Sequence, residues 1–447
     1  MKLSFILLTV ACTAVVGAQV KAPPPNAKDV SVPSHVGIPH TESSEKVLTV
    51  EDAVKIALSK QPTLESARQA VIAAEGRVKQ VRSKLLPQLG IGGTYYSSRF
   101  MGNEPRLLEL NVPKGYGASA GLTQLIYDAN HSSDLVKQSK ALQAVAKHDF
   151  ERAQEDLIFQ VLVGCYLLNE AHELVSVNQR NVDNRNSQLE LARARFKSGI
   201  GGPDDVLTAQ TAKGNAVISL IQAQNTEDSA RESLLETLGL DAQEKVQFQV
   251  SIPQAIEGGG YETWVEQALS KRPEILRAKS AVDAASYGAK AASTTSAPSL
   301  STTISWSSND PGFPAGAPGY GIGFILSVPV FDGERASGAR KEANATLKAA
   351  KSELVNAQLQ VKTDVSQAYL GVQSAEQQVE AAQTNVANAK ESLRIAEGRY
   401  KSGLGLFLDI INAQTALLSA ETNSVVATAE LSRQRASLRK AIAALEP

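Results

Sequence analysis

The sequence runs to 447 residues with a formal charge of −1, and 5% of its residues are aromatic. Near-neutral charge removes the bulk electrostatic case for a nucleic-acid partner. So few aromatics, with abundant alanine, suit long helices with narrow small-residue seams better than compact globular cores.

The N-terminus reads as an export signal spanning residues 1–18. Lys2 supplies the positive charge, Leu3 to Val16 the apolar stretch, and Val16-Gly17-Ala18 the small-residue cleavage pattern. That stretch is too short for an ordinary transmembrane helix, and no later segment is long and apolar enough to be one. Cys12 follows Thr9-Val10-Ala11, a poor lipoprotein site because Thr9 stands where an aliphatic residue belongs. Cys165, in the helical apolar run Val161-Leu162-Val163, would be alone in the mature chain, so no disulfide framework is expected. Residues 19–46, with Pro23, Pro24, Pro25, Pro33 and Pro39, read as an extended arm.

Two copies of one large unit follow. Ala57-Leu58-Ser59-Lys60-Gln61-Pro62 recurs as Ala268-Leu269-Ser270-Lys271-Arg272-Pro273, an offset of 211. Phe196-Lys197-Ser198-Gly199 recurs as Tyr400-Lys401-Ser402-Gly403, and Ala209-Gln210-Thr211-Ala212 as Ala413-Gln414-Thr415-Ala416, both at 204. A period this long excludes a solenoid. The first repeat is assigned to 47–240 and the second to 262–445, with 241–261 as linker.

Within each repeat, two runs alternate strictly and predict strands over about 88–96 and 116–127, then 299–307 and 320–330. Leu89, Ile91 and Tyr95 share one face; Tyr116, Ala118, Ala120, Leu122 and Ile126 share the next. Leu300, Ile304 and Trp306 follow, then Tyr320, Ile322, Phe324, Leu326, Val328 and Val330. The opposite faces are mostly Gly, Ser and Thr. Each run has the length of a tilted membrane strand, and Tyr95, Tyr96, Tyr116, Tyr127, Trp306, Tyr320 and Phe331 lie at or near the ends, where interfacial aromatics belong. Four strands cannot close a barrel or leave edges open in lipid, so several chains must pool theirs.

Proline-free stretches over about 128–198 and 332–402 predict helices on the order of 100 Å long. Each is followed by a Gly-turn and a second helix, about 204–238 and 406–445. In the last helix Ile410, Leu417, Ser424, Leu431, Leu438 and Leu445 recur every seven residues, with Ala413, Ala420, Ala427 and Ala441 three behind.

Arg195-Phe196-Lys197-Ser198-Gly199 through Asp204-Asp205-Val206-Leu207 and Ala209-Gln210, repeated as Arg399-Tyr400-Lys401-Ser402-Gly403 through Asp409-Ile410 and Ala413-Gln414, resembles the twin turns of the TolC-like outer membrane factor family. Leu122 to Asp128 and Leu326 to Asp332 resemble its strand-to-helix junctions. The resemblance covers about residues 47–445 and implies a mainly α protein with a small β part: a homotrimer whose helical hairpins form a hollow α-barrel and whose twelve strands form one outer-membrane β-barrel. It implies a passive exit duct for efflux or type I secretion, reaching from the outer membrane into the periplasm. A periplasmic adaptor would join it to an inner-membrane pump of RND, ABC or MFS type.

By position, Gly199, Ile200, Gly403 and Leu404 would form the adaptor-docking tip. The family's channel-lining acids map onto Asp205 and Asp409, with Asp204 and Asn412 as further pore or gate candidates. The same aspartates could instead serve as helix N-terminal caps. Gly405 stands where well-studied members carry a basic residue and Asn412 where they carry an acid, which argues against a gate held by the same ion pairs. Pro203, beside Gly201 and Gly202, implies a differently shaped first tip.

No catalytic constellation, cofactor motif or metal spacing is present; His35, His40, His131, His148 and His172 are scattered. The rival reading is a periplasmic coiled-coil scaffold or adaptor that never enters a membrane. A cell-wall hydrolase is a distant third, with no catalytic cluster to support it.

Overall fold

A computed structural model describes residues 46–96, 115–241, 246–249, 260–310 and 318–445. The expected signal and nearly all of the expected proline-rich arm lie outside the described residues, as does most of the loop between the last two strands.

The chain begins with β1 (Lys46–Thr49), α1 (Val50–Lys60) and α2 (Pro62–Ser83). The first strand pair is β2 (Gln88–Tyr96) and β3 (Gly115–Tyr127), followed by α3 (His131–Lys197) and α4 (Pro203–Leu238). After β4 (Val246–Gln249) the plan repeats as α5 (Tyr261–Lys271), α6 (Pro273–Ser293), β5 (Ser299–Asp310), β6 (Gly319–Ser327), α7 (Arg335–Lys401) and α8 (Phe407–Ala441). The two long helices have the same length, 67 residues.

Local chemistry sets the boundaries. Pro62, Pro203 and Pro273 open α2, α4 and α6, where a missing N–H costs nothing. The long helices start through a side-chain bond from before the helix: the Ser132 N–H donates to Asp128 Oδ2 at 2.8 Å, and the Ala336 N–H to Asp332 Oδ2 at 3.0 Å. Between strand and helix the backbone turns through two left-handed residues, Ala129 and Asn130 in one repeat and Gly333 and Glu334 in the other.

The helices form a wall. Toward the sheet α3 packs on α2 and α6, and farther along on α4 and α8; α7 packs on α6 and α8. Rows α2-α3-α6-α7 and α4-α3-α8-α7 therefore share two full-length staves. At their junction, α1 covers Leu157, Ile158, Val161 and Cys165 of α3, and α5 covers Val361, Val365 and Ala368 of α7. Beside them β1 and β4 pair in parallel, a contact that four-residue strands about 200 positions apart do not announce.

The four long strands make one antiparallel sheet ordered β2-β3-β5-β6, with β2 and β6 as open edges. Two predicted details are corrected. The last strand stops at Ser327, short of Val328 and Val330, because Pro329 has no N–H for the ladder. A bulge between Leu125 and Tyr127 shifts the face, so that Tyr127 rather than Ile126 stands opposite Leu300.

Candidate functional site

The sheet carries its chemistry in rows. Leu89, Leu122, Ile304 and Ile322 lie side by side across all four strands, as do Ile91, Ala120, Trp306 and Tyr320. On the other face the rows read Gly90, Gly121, Ser305, Gly321 and Gly92, Ser119, Ser307, Gly319. Ile91 is 85% exposed and Tyr320 80%, so the apolar face is uncovered. An apolar patch this size calls for lipid or another partner. Leu125, Ser301 and Ile325 form one row on the small-residue face near the helices, so that face is not polar throughout.

Of the predicted interfacial aromatics, Tyr95 and Tyr116 pair across β2 and β3 with ring centroids 5.2 Å apart. Tyr127, Tyr320 and Phe331 are exposed. Trp306 is half-buried, and the Tyr96 side chain lies outside the described residues. Among the described residues no helix is long and apolar enough to cross a membrane, and no group of acidic, His or Cys side chains could hold a metal ion.

At the far end of the wall, the α3–α4 and α7–α8 turns are built alike. Gly199 and Gly403 take left-handed φ of 74° and 77°. The Ile200 N–H reaches back to Arg195 O at 3.0 Å and the Leu404 N–H to Arg399 O at 2.8 Å, closing each helix. Ile200 and Leu404 then project into solvent, 71% and 76% exposed. At Gly405 a Cβ would lie 3.0 Å from Arg399 Cβ and 3.2 Å from the Tyr400 nitrogen. A Cβ there would crowd the end of α7.

The two turns are held together by residues the sequence reading did not single out for a role. Arg195 lies over the Tyr400 ring, 4.4 Å from its centroid, and donates from Nη1 to Tyr400 O at 2.9 Å. The Tyr400 hydroxyl donates to Asp205 Oδ2 at 3.2 Å, and burial together with the Asp205 charge raises the phenol's pKa. Leu189, Ala192, Ala209, Phe407 and Ile410 pack beneath. Tyr400 stands where the first repeat has Phe196, so a difference between the copies was the available signal.

Asp205 is thus half-buried and tied to α7. Asp409 is exposed and accepts the Leu406 N–H at 3.2 Å, serving the start of α8 as a cap. Asp204 and Asn412 are exposed.

A third charged region lies midway along the wall. Arg272, whose side chain is 8% exposed, donates to Asp364 at 2.7 Å and to both Glu274 oxygens at 3.1 and 3.2 Å. These residues line a cavity of about 730 Å³ with Arg152, Asp156 and Lys440. Nearby, burial and then the Glu274 charge push Glu155 up to about 7. The region is charge-balanced and its cations are paired.

Comparison with known proteins agrees with this geometry. The family model for outer membrane efflux proteins matches residues 53–240 and 264–444, one segment per repeat. The chain is 24% identical over 405 residues to outer membrane protein TolC of Escherichia coli K12, covering 86% of this chain and 79% of that one. It is 25% identical over 398 residues to outer membrane efflux protein BepC of Brucella suis, covering 85% and 83%. The Campylobacter jejuni CmeC outer membrane channel superposes with a TM-score of 0.78 at 17% identity, covering 88% of this chain and 85% of that one.

Proposed function

The chain belongs to the outer membrane efflux protein family, and from that premise we propose how its parts make a duct. It is an outer-membrane exit channel of efflux or type I secretion systems, reaching into the periplasm. The observation that carries this reading is a four-stranded sheet with one uncovered apolar face and two open edges, continuous with helices on the order of 100 Å long. Family members are channels, and the chain acts as a passive conduit rather than an enzyme.

Three copies join edge to edge into a twelve-stranded barrel, with the small-residue face lining the pore and the apolar face in outer-membrane lipid. Tyr95, Tyr96, Tyr116, Tyr127, Trp306, Tyr320 and Phe331 mark its interfaces. Residues 1–18 are the export signal. Ile200 and Leu404, presented by Gly199 and Gly403, meet a periplasmic adaptor, behind which an inner-membrane pump supplies the energy.

The tip is the gate. Threefold symmetry sets Asp205 and Asp409 in rings around one axis, with Asp204 and Asn412 close by, and such rings draw cations. The Tyr400–Asp205 bond latches the two helical hairpins of a chain, a role that Gly405 and Asn412 cannot fill.

Purified protein in a planar bilayer tests the reading. It should give discrete channels whose cation preference falls, and whose block by polyvalent cations weakens, in Asp409→Ala. Unchanged selectivity and block would remove Asp409 from the pore, and absence of any conductance would count against the duct itself.

A further inference from the structure

The internal repeat supplies a template for a seam that the single chain cannot make. A shift of 204 residues carries α3 (His131–Lys197) onto α7 (Arg335–Lys401), and the start of α4 onto that of α8; a shift of 211 carries Pro62 of α2 onto Pro273 of α6. Inside the chain, α6 and α8 fill the groove between α3 and α7. Their counterparts α2 and α4 have α3 on one side and no long helix on the other, and α7 is likewise open on one side. Applying the same shift again lays the α7 of another copy on α2 and α4, as α3 lies on α6 and α8.

In the homotrimer a second copy docks along the α2/α4 edge in that register, and we propose that one ion pair, Arg77 with Glu342 of the second copy, marks the seam. The proposal rests on the homotrimer reading and deepens it.

The residues support this through a contrast. Among the described residues the seam inside the chain includes the ion pairs Arg277–Asp149 at 2.7 Å, Arg152–Glu274 at 3.7 Å, Lys440–Asp156 at 2.7 Å, Arg180–Glu421 at 3.8 Å, and Arg433–Glu170. The same shifts turn them into Ser66/Glu353, Asn356/Thr63, Glu236/Gln360, Val217/Thr384 and Ser229/Ser374. None of these is a pair of opposite charges. Conversely, Gly288 and Gln138 make an uncharged close approach inside the chain, where a Cβ at 288 would lie 2.8 Å from Gln138 Nε2. Their counterparts are Arg77 and Glu342. Both are exposed, and neither side chain has a hydrogen bond or ion pair among the described residues.

The two seams therefore carry different charge patterns. Lys440 meets Asp156 inside the chain, whereas the inter-copy position offers Gln360. A second copy's α7 invading the internal seam would keep one of these pairs, Arg277 with Glu353 in the place of Asp149, and lose the other four, which favours the proper partner.

The test uses full-length protein purified in detergent. Native mass spectrometry establishes whether it is trimeric. Arg77→Cys/Glu342→Cys, treated with a short bis-maleimide, should give covalent dimers and trimers, while Arg77→Cys alone stays monomeric on a denaturing gel. Arg77→Glu should lower the trimer-to-monomer ratio on the order of tenfold, since three symmetry-related attractions become repulsions, and Arg77→Glu/Glu342→Arg should restore it. Trimers with neither cross-link nor rescue would overturn the register and leave the homotrimer standing. Cross-linking without rescue would overturn the ion pair, and monomers under all conditions would overturn both readings.

Discussion

Gln61 and Arg272 occupy one place in the two repeats, between a short helix and the proline that opens the next. Gln61 donates its amide to the Thr237 and Glu236 carbonyls at 3.0 and 3.3 Å, at the end of α4 and beside an apolar cluster. Arg272 reaches instead across to α7 and gathers Asp364 and Glu274 around a cavity. The backbone plan is the same in both; the neutral version satisfies a helix end, and the charged version ties α6 to α7. Duplication has preserved where the elements go while letting their adhesive change.

The comparison breaks most sharply at Arg272. Arg272→Leu leaves partly buried Asp364 without its cation and Glu274 with only the longer Arg152 contact, and should cost about 3 kcal/mol, whereas Gln61→Leu should cost about 1 kcal/mol. Thermal and denaturant melts of the two variants in detergent check this. Equal losses would mean that the charged node is ornamental.

Glu155 sharpens it next. Its folded pKa of about 7 lies above the ordinary 4.5. Folding therefore takes up a proton between those values, and stability falls as pH rises through that window. Glu155→Gln should flatten the slope and add about 1 kcal/mol above pH 7, once its partial exposure is discounted. Melting midpoints at pH 5 and pH 8 read the difference.

At the tip, Tyr400→Phe makes the second turn resemble the first, which has Phe196. Loss of one hydrogen bond, about 1 kcal/mol, should raise the open fraction of single channels about fivefold. Recordings from the variant decide it, and an unchanged open fraction would separate the latch from the gate.

The smallest effect lies in the left-handed turns. Where one repeat places Gly333 and Gly239, the other places Ala129 and Ala443, all with positive φ. Ala129→Gly and Ala443→Gly should each stabilise by about 0.5 kcal/mol, the relief of strain exceeding the entropy lost. Gly333→Ala should go the other way in the same melts.

The broad plan was readable in advance because its signals are periodic. Strand alternation, proline-free helical stretches and the doubled Lys-Ser-Gly turn all repeat within one chain. What stayed hidden depends on contacts across long separations. The β1–β4 pair is too short to alternate, and the bulge at Ile126 interrupts a pattern that alone looks regular. Arg272 looks like any lysine-adjacent surface cation until Asp364, 92 residues away, is beside it. At the tip, the family pattern pointed to Asp205 and Asp409 but not to Tyr400, whose partner sits 195 residues earlier.

The two bare margins of the sheet also govern inheritance. A subunit whose first or last ribbon is damaged spoils any cylinder it joins, because its sound neighbours have nowhere else to seal. In the proposed threefold assembly, a cell making equal amounts of normal and damaged subunits would build about one fully sound duct in eight. Lesions at those margins should therefore behave as dominant alleles, while lesions within the helical wall that merely prevent folding should be recessive.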